Sequence, residues 1–342
     1  MLRSRVLGEF HILLIVVLLL AALFAGPANA REPGECRGAD MITEMAKRAP
    51  EQHKEIAVER DRTANGKALL WRIERDGVAV SHLFGTIHLT DTRVTSFSPR
   101  VLAAIEGSKR VVLEVADFAP EAIAKAMAKL SSLLLLRDGK RLDQLVDSSE
   151  FATVKAVLQR SGVPGEAAAA FQPWVIMSMM SLSHCEQQRV AKGIATVDGR
   201  IGELARKSGR PVVGLETIED QLRAMAAVPM TDQVSMLRVA VKLYPRLDDM
   251  METIVQLYLK REIAAAWPLQ RVLAREAKVG PVSLAAFKHQ LLTVRNRRMH
   301  DAALPILAQG GAFIAVGALH LVGDDGLVAT LRAAGYRVTA VE

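Results

Sequence analysis

Ile314-Ala315-Val316-Gly317-Ala318-Leu319-His320-Leu321 echoes His82-Leu83-Phe84-Gly85-Thr86-Ile87-His88-Leu89: each is an apolar run closed by Gly-x-x-His-Leu. Short apolar runs bounded by glycine and polar residues predict buried strands. Ala68 to Arg75 and Val78 to Ile87 flank Asp76-Gly77, a two-residue hairpin signal, so the first of the two motifs closes the second strand of an antiparallel pair. Arg110-Val111-Val112-Leu113-Glu114 and Val212-Val213-Gly214-Leu215-Glu216 are two more short apolar strands, each ending in a carboxylate. The second motif is the strand Ala312 to Gly317. It is followed by a helix from Gly326 to Ala334 and a last strand from Tyr336 to Val341, a β-α-β order that favours parallel pairing.

Between these strands the pattern is helical. A helix is expected near Asp40 to Val58, and another from Pro99 to Gly107 behind Ser98 as its cap. The stretch from about 119 to 207 is helical with breaks at Arg137-Asp138-Gly139-Lys140, Ser161-Gly162-Val163-Pro164-Gly165 and Lys192-Gly193. A second helical region runs from about 218 to 309, ended by Gly310-Gly311. The expected fold class is α/β: a central mixed β-sheet that starts with an N-terminal hairpin, is flanked by helices and carries a large α-helical insertion in the middle. One domain over 68–342 follows an N-terminal segment, 31–67.

Arg3 and Arg5 precede an apolar run from Ile12 to Ala25, and Gly26-Pro27-Ala28-Asn29-Ala30 is a small-residue stretch of the A-x-A kind. This is the pattern of a secretory signal peptide over 1–30, since the run is shorter than the roughly 20 residues a spanning helix needs. An uncleaved anchor is the alternative. The protein is therefore expected to be periplasmic or secreted, with no stable membrane span after cleavage. Cys36 and Cys185 are the sole cysteines, and in an oxidising compartment a single Cys36–Cys185 bridge is the default. The competing reading is a reactive thiol at Cys185 beside His184. Lys and Arg total 44 against 37 Asp and Glu, a modest and dispersed excess without basic-aromatic interleaving, so nucleic acid is not an expected partner.

The chemistry signal is the residues at which four strands stop: His88, Glu114, Glu216 and His320. In open α/β sheets functional sites lie beyond the carboxyl ends of the strands. Adjacent strands are about 4.8 Å apart, so side-by-side strands would bring the four together. Two imidazoles with one or two carboxylates suit Zn, Mn, Fe or Co better than Ca or Mg. Such a site could activate water for hydrolysis. Each of these residues has a bland reading as a hydrogen-bonded strand end. Thr217 and Asp220 resemble a capping box, which explains Glu219 better than Glu216. His82 lies too far along its strand to share a site with His88, and His53, His184, His289 and His300 sit in polar helical contexts. Arg295 and Asn296 would normally be a solvated helix face, but their helix leads into the His320 strand. No His-Glu-x-x-His helix, Gly-x-Ser-x-Gly elbow, Walker A loop or dinucleotide-binding glycine pattern is present.

Together, Leu70-Trp71, Leu83-Phe84-Gly85-Thr86-Ile87-His88, Leu113-Glu114, Gly214-Leu215-Glu216-Thr217 with Gln221, Arg295-Asn296, and Val316 to Gly323 with Gly326-Leu327 and Gly335-Tyr336 resemble the TraB/PrgY/GumN family, to which the Tiki metalloproteases are related. The resemblance spans about Ala68 to Val341. It implies an α/β fold similar to the erythromycin-esterase and ChaN-like proteins, with both Gly-x-x-His motifs in one site. It further implies His88, Glu114 and His320 as ligands of a divalent transition metal, Mn, Co, Fe or Zn. Glu216 is then a ligand or general base, and Arg295 and Asn296 stabilise the transition state. The implied function is a metal-dependent hydrolase, peptide-cleaving, with metal-bound water as nucleophile. The alternative is a non-catalytic periplasmic binding protein that sequesters a peptide or haem-like ligand, and the expected partner is a peptide or small-molecule ligand.

Overall fold

The computed structural model describes residues 36–117 and 120–342; the expected signal peptide lies outside them. Six strands form one mixed sheet: β1 Leu70–Arg75, β2 Val78–Thr86, β3 Arg110–Leu113, β4 Val212–Gly214, β5 Ala312–Gly317 and β6 Arg337–Ala340. Their spatial order is β4-β3-β5-β2-β1-β6. β2, β5, β3 and β4 run parallel, whereas β1 is antiparallel to both of its neighbours, β2 and β6. Asp76 and Gly77, the latter at φ +74°, join β1 to β2.

The alternation of strand side chains sets the layers. Phe84, Val111, Leu113, Phe313 and Ala315 point to one face. There they pack with residues of the N-terminal helices and of the helices Val197–Lys207, Leu247–Leu259 and Ala266–Glu276. Trp71, Ile73, Leu83, Val112, Ile314 and Val316 point to the other face, onto Met299, Ala303 and Leu307 of the helix Val294–Gln309 and onto Leu327–Ala333. β5 is buried over Ala312–Val316 and sits between β2 and β3, which accounts for its unbroken apolar run. A third apolar cluster is built by the helices of the middle region, with Trp174, Val175 and Ile176 fully buried at its centre.

β6 departs from the expected parallel pairing. It points the same way as β5 but hydrogen-bonds to β1, antiparallel, because both flanks of β5 are already taken by β2 and β3. Cys36 and Cys185 are disulfide-bonded, with Cα atoms 5.6 Å apart across 149 residues. No free thiol remains, so the reactive-cysteine reading falls. The bridge ties the start of the described chain to the helix His184–Ala191. Among the described residues no helix is long and apolar enough to cross a membrane.

Candidate active site at the strand ends

The parallel strands β4, β3, β5 and β2 stand side by side and end on one edge of the sheet. Glu216, Glu114, His320 and His88 follow those ends. Thr86 pairs with Gly317 in the ladder, so the two Gly-x-x-His motifs enter the site nearly in register although they lie at opposite ends of the sequence. Their glycines do different things. A Cβ on Gly85 would stand 3.0 Å from Cα and Cβ of Ala318, so glycine there lets the turn carrying His320 lie against β2. A Cβ on Gly317 would stand 3.1 Å from Glu114 Oε1, 3.5 Å from His320 Cδ2 and 3.8 Å from His88 Nε2. The missing side chain is the space on which the three groups converge.

Each imidazole is held through Nδ1. His88 Nδ1 donates to Asp198 Oδ2 at 2.7 Å, and Asp198 Oδ1 accepts the Thr86 hydroxyl at 2.7 Å. His320 Nδ1 lies 2.6 Å from Asn296 Oδ1; the Asn296 amide nitrogen donates to the Asp325 carbonyl at 2.8 Å, which fixes the oxygen toward the ring. In both rings the Nε2 lone pair of the neutral form is thereby left for the site. Partners on Nδ1 of this kind orient and strengthen imidazole ligands. His320 Nε2 is 3.7 Å from Glu114 Oε1.

Arg295 is spent on the two glutamates. Its Nη2 donates to Glu114 Oε2 at 2.6 Å and to Glu216 Oε2 at 2.7 Å, and Nε donates to Glu216 Oε2 at 3.0 Å. Glu114 also accepts from the Gly317 amide at 2.6 Å and from Gln221 at 3.1 Å. The electrostatics follow from burial and these pairs. Burial works against ionisation of Glu114, but Arg295 and the two histidines hold its carboxyl far below the usual range. Burial pushes His320 down to about 3, with Arg295 adding to the effect, so this ring is neutral. Burial also disfavours charge on His88, yet Asp198 overrides it and raises the ring to about 9. Burial raises Glu216, with Arg295 opposing.

All six residues anticipated from the sequence meet here, but four of them face open space. His88, Glu114, Arg295 and His320 line a cavity of about 460 Å³, whereas Glu216 and Asn296 lie behind them. Glu216 bonds to Arg295 through both oxygens, and its side chain is 1% exposed, so it stands as a partner of Arg295 rather than as an open ligand or base. Asn296, 1% exposed, stands as the orienter of His320 rather than beside a reacting atom. Asp198 is the member that sequence reasoning missed. It belongs to the first turn of Val197–Lys207, where an acid is an ordinary helix-start residue, and nothing local marks it as a partner of His88. Thr217 and Asp220 form the anticipated capping box, and Glu219 pairs with Lys129.

Among the described residues, no group of three or more His, Cys, Asp or Glu side chains stands at metal-ligand spacing. The donor chemistry nevertheless suits a divalent cation. Asp198, Glu114 and Glu216 set three carboxylates against the one guanidinium of Arg295, leaving two negative charges when both histidines are neutral.

The chain belongs to the TraB/PrgY/gumN family, whose model matches residues 69–340. No curated protein and no solved structure matches it.

Proposed function

We propose that the protein is a metal-dependent hydrolase acting outside the cytoplasm, with the cleft at the strand ends as its active site. The observation that carries this reading is the pair of imidazoles whose Nδ1 atoms are fixed by buried partners, with His88 Nε2, the Cδ2 edge of His320 and Glu114 Oε1 around the space beside Gly317 and His320 Nε2 3.7 Å from Glu114 Oε1. His88, His320 and Glu114 would hold the ion, whose chemistry there is to lower the pKa of water and polarise a carbonyl. The charge balance supports it. Buried charge is costly unless compensated, and one divalent ion would meet the two surplus negative charges; Asp198 draws positive charge onto His88 in the same sense, whereas the rise of Glu216 comes mainly from burial.

The residues around the three ligands have separate tasks. Asp198 and Asn296 keep the rings turned so that Nε2 faces the cleft. Arg295 fixes both glutamates and keeps Glu114 ionised. His88, whose side chain is 27% exposed, is the ring that faces incoming substrate. The disulfide is consistent with an oxidising compartment and so with a periplasmic or secreted location. A peptide substrate is what the family resemblance suggests.

The apolar cavity favours a second reading, in which the protein captures its ligand without turning it over. Elemental analysis of the purified disulfide-bonded protein, beside a His88→Ala/His320→Ala variant, decides the metal question. Near-stoichiometric Mn, Fe, Co or Zn in the wild type, absent from the folded variant, is expected; no uptake of any of the four would overturn the hydrolase reading. Peptide cleavage lost in His88→Ala supports the enzyme, and tight capture without turnover in metal-loaded protein supports the binder.

A further inference from the structure

The charged groups of the cavity that the four site residues line form one cluster. Its volume of about 460 Å³ is that of a pocket for a small molecule. Every ionisable side chain that lines it belongs to the cluster at the strand ends. Apart from Ser178 and Ser181, the rest of the lining is mainly apolar and includes Met177, Met225, Met251, Ile254, Phe287 and Leu292. Three thioethers make those walls adaptable to a flexible guest. The helix Pro281–Lys288, the π-helical turn His289–Thr293 and the helix Val294–Gln309 follow one another along this wall and supply Phe287, Leu291, Leu292 and Arg295. A π turn is a departure from regular helix that recurs at functional sites.

The apolar part offers little to a peptide backbone. The Ser178 hydroxyl already donates to the Trp174 carbonyl at 2.8 Å, and that of Ser181 to the Ser178 carbonyl at 2.6 Å. Most other wall residues sit on helices, whose amides bond internally. An extended peptide lying along them would bury an N–H and a C=O per residue without partners, and each costs roughly 1–3 kcal/mol by protein mutational measures. A hydrocarbon chain carries no such groups and gains from burial along its whole length.

We propose that the cavity holds a single hydrocarbon acyl chain with its carbonyl at the His88, Glu114 and His320 end, so that the substrate of this site is an acyl amide or acyl ester. The assignment of a cleavage step rests on the hydrolase reading above; the assignment of the bound group does not. In that step water forms a C–O bond to the acyl carbon, the C–N or C–O bond breaks, and a water proton leaves with the amine or alcohol. Water is the sole co-reactant.

The test is competition against a fluorescent dodecanoyl probe, run on metal-free and on metal-loaded protein. The competitors are N-acylglycines and acyl ethyl esters of four to sixteen carbons and an unacylated octapeptide of apolar residues. Affinity should rise about fourfold per methylene and then level off where the cavity is filled. The stronger of the amide and ester series identifies the source of the chain. Ile254→Trp and Leu292→Trp, which add bulk at partly exposed wall positions, should move the levelling to shorter chains while leaving metal uptake unchanged. Two variants guard against one that fails to fold. Chain-length dependence in protein that takes up no metal would retain the acyl assignment while the hydrolase reading falls. Metal uptake with affinity independent of chain length, or an octapeptide that outcompetes every acyl compound, would overturn it.

Discussion

Asp198 is a side chain whose effect on the site runs entirely through another residue. It touches the far nitrogen of His88 and the Thr86 hydroxyl, and it lies outside the wall of the cavity. Asp198→Asn keeps the size of the side chain but can present an N–H to His88, which favours the wrong ring tautomer. Orienting partners of this kind are worth about 10–100-fold in metal affinity. We expect that loss in a calorimetric titration with Zn or Co, with the circular dichroism of the folded protein retained; an unchanged affinity would remove Asp198 from the site. The contrast with His88 explains what a sequence can reveal at this scale. His88, Glu114, Glu216 and His320 are visible because each is a polar stop at the end of an apolar strand. Asp198 pairs with a residue 110 positions away and sits in a polar helix start, so no local pattern exposes it.

At the scale of elements, the site depends on how closely the turn after β5 lies on β2. Gly85 is the contact point, and the Tyr258 hydroxyl, donating to the Gly85 carbonyl at 2.7 Å, fixes the same backbone from the helix Leu247–Leu259. Gly85→Ala would press a methyl against the Ala318 backbone and shift the Ala318–His320 turn. The expected result is overpacking of about 1–3 kcal/mol in a denaturant melt with weakened metal binding; full affinity would show that the turn is free to move. The other motif loop is fixed by the helix His184–Ala191. Glu186 accepts the Thr90 amide, and Arg189 donates to the Thr90 hydroxyl at 2.8 Å and to its carbonyl at 3.0 Å, two residues beyond His88. Cys185 places the disulfide on that helix. Cys36→Ser/Cys185→Ser should therefore lower stability by about 2–5 kcal/mol and speed hydrogen exchange at Thr90; exchange unchanged there would separate the bridge from the site. The parallel strand set was legible because each strand carries its own apolar signature. The place of β6 was not, because it depends on which sheet edges earlier strands leave open.

For the whole molecule, the two histidines make stability depend on pH in opposite directions. His320 is pushed down to about 3 in the fold, so between that value and an unfolded value near 6.5 the unfolded chain binds a proton that the fold does not. Stability contributed by this residue is present above about 6.5 and is lost as the pH falls. His88 is raised to about 9, so its contribution is fully present below about 6.5 and is lost as the pH rises through 9. Each slope is limited to about 1.4 kcal/mol per pH unit for a single proton. In metal-free protein the two together place a stability maximum near the unfolded histidine value. Denaturant melts from pH 4 to pH 9.5 in the presence of a chelator measure it. His320→Gln should flatten the acid limb while leaving the alkaline limb in place, and His88→Gln should do the reverse. Loss of both limbs in either variant would mean that the two rings do not titrate as separate groups, and that the charge they share through Glu114 governs the cluster as a single unit.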